Sequence, residues 1–155
     1  MDVADFKGAM GAIASPVSVV TSATTQPHGT TVSAFASLSI EPPMVLVSLS
    51  LTSDLLPVVR ESGWFGLNVL AHDQADVALT FARKGVDRFA AIEWEEVLGV
   101  PRLAGSAAFV ACEVGQFIEA GDHVMVTGFA RAAEHRDVAG LSYQHRQFGL
   151  FVPAS

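Results

Sequence analysis

The sequence predicts a mainly β protein, an antiparallel barrel that is closed or partly split, with a few flanking helices. Two features carry that expectation. Strand-like runs rich in Val, Thr, Phe and Ser recur along the chain, while helix-like runs are few and peripheral. The rhythm of a parallel βαβ sheet, with a helix after nearly every strand, is missing. Half of the 155 residues are apolar, so one core can be buried without metal or disulfide staples. No repeat, low-complexity tract or linker divides the chain, which gives a single domain over residues 1–155.

The elements follow in order. Phe6, Met10 and Ile13 recur at helical spacing and predict a short amphipathic helix ending at Ser15-Pro16. Residues 17–24 read as a strand, and 26–29 (QPHG) as a turn. Residues 30–39 and 44–50 form two more strands, parted by Glu41-Pro42-Pro43, which must leave the ladder. A short helix at 55–61 is closed by Gly63, with Thr52, Ser53 or Asp54 available as its N-cap. Residues 65–70 are a strand and 73–83 a helix with Val77, Leu79 and Phe81 among its apolar positions. Long strands near 107–119 and 123–133 meet at a tight Gly121-Asp122 corner, and 148–152 predict a last short strand. The inside of so small a barrel is filled by side chains, so a ligand belongs on the outer wall or at a dimer seam.

Composition narrows the function. A net charge of −7 argues against nucleic acid as a partner, because phosphate backbones select basic surfaces. One cysteine, Cys112, allows no internal disulfide and points to a reducing, cytoplasmic setting. The opening MDVADFKGAMGAI places acids ahead of its apolar residues, the reverse of a secretory leader. No apolar run approaches the roughly 20 residues that span a bilayer, so no membrane is expected. His28, His72, His135 and His145 lack paired spacing for a metal site. Gly8-Ala-Met-Gly11 follows no strand and is not a dinucleotide fingerprint, so a nicotinamide nucleotide has no Rossmann domain of its own here.

The stretch 28–53 is the most informative. Its polar positions are almost all small hydroxyls: Thr30, Thr31, Ser33, Ser37, Ser39, Ser48, Ser50, Thr52 and Ser53. A strand pair facing water ordinarily alternates apolar with charged or long polar residues. Small hydroxyls let a backbone approach a ligand closely and donate to phosphate or a ring edge. Packing against a neighbouring subunit or helix is the alternative. Arg83, Lys84 and Arg88 form a compact cation cluster suited to a phosphate, or equally to the end of a solvated helix.

The ordered set Pro16-Val17, Val20-Thr21, Gly29-Thr30-Thr31-Val32-Ser33-Ala34-Phe35, Ser37-Leu38-Ser39, Glu41-Pro42-Pro43 and Val45-Leu46-Val47-Ser48-Leu49 resembles the flavin reductase domain family. Ser62-Gly63-Trp64-Phe65, Leu67-Asn68-Val69-Leu70, Phe81-Ala82, Arg88-Phe89, Gly121-Asp122-His123 and Tyr143 through Gly149 extend the match from about Phe6 to Phe151. The chain is similar to the reductase components of two-component flavin-dependent monooxygenases. That resemblance implies an antiparallel Greek-key split β-barrel, the FMN-binding split barrel, acting as a homodimer with flavin at the dimer groove.

It also implies roles. Thr30, Thr31, Val32, Ser33, Ala34 and Phe35, with Ser37 and Leu38, would follow the flavin ring. Ser48, Leu49, Ser50, Thr52 and Ser53 would meet the ribityl chain and phosphate, and Phe81, Ala82 and Arg88 would complete the phosphate side. A helix starting near Asp54 adds a positive dipole end. His123 would lie near the nicotinamide, orienting it or relaying a proton, with Asp122 fixing its tautomer. Tyr143 and Arg146 would close the same pocket, Arg146 on a pyridine-nucleotide phosphate. One departure stands out: relatives commonly carry a second hydroxyl or a cation shortly after Thr52, where this chain has Asp54-Leu55.

The implied activity is reduction of FMN or FAD by NADH or NADPH, with hydride passing from nicotinamide C4 to flavin N5 across stacked rings roughly 3–3.5 Å apart. Reduced flavin would then reach a separate monooxygenase. Two alternatives remain at this level: a non-catalytic FMN-binding module, and a flavin-dependent oxidase acting directly on a small organic substrate.

Overall fold

A computed structural model describes residues 1–154. The main sheet has seven antiparallel strands in the order β3 (Pro27–Val32), β2 (Ser18–Ala23), β6 (Trp64–Val69), β9 (Ala108–Ala120), β10 (His123–His135), β5 (Pro43–Ser50) and β4 (Phe35–Ile40). Consecutive strands pair as hairpins: β2 with β3, β4 with β5, and β9 with β10. The two edge strands, β3 and β4, are adjacent in sequence, and Ser33-Ala34 carries the chain from one edge of the sheet to the other. The expected single strand over 30–39 is therefore broken there. Composition could not reveal it, since Ser and Ala suit a strand and a crossover alike.

The barrel interior holds one apolar cluster, including Val20, Val47, Leu49, Phe65, Leu67, Cys112, Val124 and Val126. Helix α2 (Leu55–Ser62) packs into it through Leu55, Leu56 and Val59. Its C-terminus is closed by Gly63 at φ 71°, the left-handed turn that glycine adopts most readily. Of the candidate N-caps, Ser53 acts: its Oγ accepts from Leu55 N at 3.3 Å, while the Asp54 carboxylate makes no capping bond.

A second cluster lies outside the barrel, where α3 (Ala75–Ala82) places Ala78 and Phe81 on Val17, Val19 and Leu70. Leu79, expected among the apolar positions of this helix, is exposed. Thr31 Oγ1 donates to Ala78 O at 2.6 Å and ties the helix to edge strand β3.

Two short pairings carry no clear strand signal in the sequence. The hairpin of β7 (Trp94–Val97) and β8 (Val100–Leu103) is largely polar on its first strand and has no alternating pattern. A buried polar group docks it: Thr21 Oγ1 donates to Pro101 O at 2.6 Å, and Asn68 Oδ1 accepts from Leu103 N at 2.7 Å. Asn68 Nδ2 also reaches Val19 O at 3.2 Å and Pro101 O at 3.3 Å, so the fully buried amide is satisfied on both ends. The other is a small sheet of β1 (Ser15–Pro16), β11 (Leu141–Gln144) and β12 (Gln147–Leu150), which sets the expected last strand a little earlier than 148–152.

The turn expected at 26–29 lies at 24–26, because Pro27, His28 and Gly29 already pair with Ala23, Ser22 and Thr21. Pro27 is tolerated as the first residue of an edge strand. The opening helix α1 (Val3–Gly11) stops short of Ile13, and none of its residues is buried. Its apolar stripe of Phe6, Met10 and neighbouring Ile13 stays about half exposed on this chain. No helix among the described residues is long and apolar enough to cross a membrane.

Candidate active site

The crossover at Ser33-Ala34 opens the barrel wall. Ser48 N still donates to Ala34 O at 2.9 Å, but β4 pairs with β5 only from Val47 downward. Beyond that bond the upper end of β5 faces the unpaired edge of β3 across a cleft of about 300 Å3. Edge-strand amides and carbonyls are the groups that a flat heterocycle's polar rim can engage. Thr30, Thr31, Val32, Ser33 and Ala34 line one wall, and Ser48, Leu49, Ser50, Thr52 and Ser53 the other.

The turn from β5 into α2 is held by its own hydroxyls. Ser50 Oγ contacts Thr52 Oγ1 at 3.0 Å and accepts from Thr52 N at 3.2 Å. This fixes the hydroxyl-bearing wall without a bulky side chain. At one end of the cleft stand Lys84 and Arg88. Arg88 is clamped, its Nη1 donating to Gly29 O at 2.6 Å and its Nε to Arg83 O. Other arginines are committed elsewhere: Arg102 pairs with Glu95 and Glu134, Arg131 with Glu113, and Arg60 covers the Phe117 ring. An acidic protein has thus placed two cations where a phosphate would need them.

His123 also lines the cleft, opposite Ser50 in the β10–β5 register. Its Nδ1 lies 2.7 Å from Asp122 Oδ1. That hydrogen bond, together with the charge of His123, holds the Asp122 carboxyl below the usual carboxylate range. With Asp122 ionised, the proton is assigned to Nδ1, leaving Nε2 as the acceptor of the neutral ring.

A second cleft, of about 750 Å3, shares Ser33 and Ala34 with the first. Tyr143 and Arg146 line it, with Lys7 and Met10 of α1. These two expected nicotinamide residues therefore sit across the Ser33-Ala34 divide from His123, and not beside it.

Several expected ring or phosphate contacts stand elsewhere. Phe35 packs against the barrel core, while Ser37 and Leu38 lie further along β4, away from the cleft. Phe81 is fully buried, and its ring would meet a Cβ added at Gly29 at 2.9 Å. Phe81 thus supports the β3 wall from beneath, with Gly29 permitting the approach. Ala82 is exposed at the end of α3 and does not line the cleft. Of the cation cluster suited to a phosphate, Lys84 and Arg88 line the cleft and Arg83 does not, and Asp54 borders the cleft directly.

Cys112 is fully buried, and burial pushes its thiol up to about 12, which makes it an inert core residue. Among the described residues no group of three or more His, Cys, Asp or Glu side chains is arranged to hold a metal ion.

The profile of the flavin reductase-like domain matches residues 10–150, nearly the whole chain. The chain belongs to that family. A probable flavin reductase of Rhizobium meliloti is 40% identical over 151 residues, covering 96% of this chain but only 48% of the relative. The reductase component of a 4-nitrophenol 4-monooxygenase/4-nitrocatechol 2-monooxygenase from Rhodococcus opacus is 38% identical over 99% of this chain and 83% of its own length. Among solved structures, an NADH:FAD oxidoreductase of Streptomyces globisporus, in complex with NAD and FAD fragments, superposes with a TM-score of 0.93 at 28% identity. That match covers 98% of this chain and 94% of the other. The flavin reductase fold and the split barrel expected from the sequence are thereby the same fold.

Proposed function

We propose that this chain is an NAD(P)H:flavin oxidoreductase that hands reduced flavin to a separate monooxygenase. One observation carries the reading: the split between β3 and β5 joins a hydroxyl-lined wall, a free strand edge, two cations and an oriented histidine in a single cleft. A flavin is matched at each of its parts, with ring rim, ribityl hydroxyls and phosphate meeting groups of suitable chemistry. Bound flavin supplies the redox-active ring.

The chain's own work is placement and proton handling. Ser33-Ala34 lines both clefts, so groups held in each would be neighbours across that dipeptide. His123, with Nδ1 committed to Asp122, offers Nε2 to take up or release a proton at the cleft. The exposed stripe of α1 borders the second cleft, and a second copy of the chain covering it would bury Phe6, Met10 and Ile13 while closing that cleft from water. A homodimer is accordingly part of the proposal.

Steady-state oxidation of NADH and NADPH, each with riboflavin, FMN and FAD, tests the reading. Turnover that requires both nicotinamide and flavin is expected. Failure of every combination overturns it. A yellow protein that resists reduction by either nicotinamide would instead mark a flavin-holding module.

A further inference from the structure

The cleft does not close at its cationic end. Asp54 and Arg88 border it and also border a further cleft of about 460 Å3. That volume lies in the usual range for small-molecule sites, about 300–1,000 Å3. Pro27 and His28 of β3 line it, along with Val86 and Phe89. The Phe89 ring is fixed by edge contacts to Phe81 at 5.0 Å and Trp94 at 5.7 Å. An imidazole, a proline and an immobilised phenyl ring are surfaces on which a purine stacks.

Asp54 stands at the passage with its carboxylate uncommitted. It is exposed and occupies the N-cap position of α2, yet the capping bond comes from Ser53. An acid here repels both flavin phosphates, but it weighs more heavily on FMN than on FAD. FMN ends in a phosphate monoester carrying about −1.5 to −2 at neutral pH, which an adjacent carboxylate repels. In FAD each phosphorus carries a single charge, and the molecule continues beyond it into a ribose whose hydroxyls donate to a carboxylate. Arg88 borders both clefts and, with Nη1 and Nε held on Gly29 O and Arg83 O, has Nη2 left to meet a pyrophosphate that spans them.

We infer that this further cleft takes the adenosine half of FAD, and that Asp54 makes the protein prefer FAD over FMN. The inference rests on the flavin reading above. Isothermal titration of the purified protein with FAD, FMN and riboflavin tests it without reference to turnover. FAD is expected to bind about tenfold more tightly than FMN. Asp54→Ser is expected to tighten FMN more than FAD, bringing the ratio toward one, and His28→Ala to weaken FAD alone. Equal affinities in the unaltered protein, or a ratio that Asp54→Ser does not move, overturn the adenosine assignment. Riboflavin separates the two levels. If it binds while FAD and FMN are not distinguished, only this inference fails; if none of the three binds, the flavin reading fails with it.

Discussion

At the β9–β10 corner, a one-residue sequence separation lets Asp122 reach the His123 ring at 2.7 Å. Because the Asp122 carboxyl is held below the usual range, the pair's contribution to folding is complete above that range and is lost as pH falls through the lowered value. The Tm difference between the natural protein and Asp122→Asn is expected to shrink as pH drops through the acid range; a difference constant with pH would contradict the pairing. At the cationic end, Lys84→Ala should weaken FAD or FMN binding about tenfold, fade at high salt, and leave riboflavin unaffected. Equal losses for all three flavins would remove the phosphate role. His123 was legible because it sits in a recognisable Gly-Asp-His corner. The burial of Phe81 was not, since sequence proximity to a site does not tell a wall residue from the residue supporting it.

Among the elements, the strands with strong apolar runs were readable, and so was helix α2 with its Gly63 stop. The hairpin of β7 and β8 was not, because its docking depends on Asn68 and Thr21, which lie far away in sequence and look unremarkable there. Asn68→Ala leaves Leu103 N and other buried groups without their partner, at a cost of about 3 kcal/mol. Chemical denaturation should show that loss; a change within a few tenths would mean the hairpin docks by apolar contact alone. The crossover at Ser33-Ala34 was hidden for a related reason. Local composition reports strand propensity, whereas the break is set by which distant strands β3 and β4 must pair with.

For the whole molecule, the barrel and its split follow from seven antiparallel strands whose two edges are consecutive in the chain. The same arrangement makes the cleft, since the two edges part where the chain crosses between them. Phe6 and Met10 of α1, with neighbouring Ile13, stay about half exposed on an isolated chain. Phe6→Glu in α1 should convert a sedimenting dimer into a monomer while leaving thermal unfolding of the barrel nearly unchanged, and a chain already monomeric at all concentrations would exclude that interface. The most direct measurement for the site is a crystal structure of the protein with bound flavin. The ring is expected against residues 30–34 and the phosphate at Lys84 and Arg88. Flavin bound away from the β3–β5 split would contradict it.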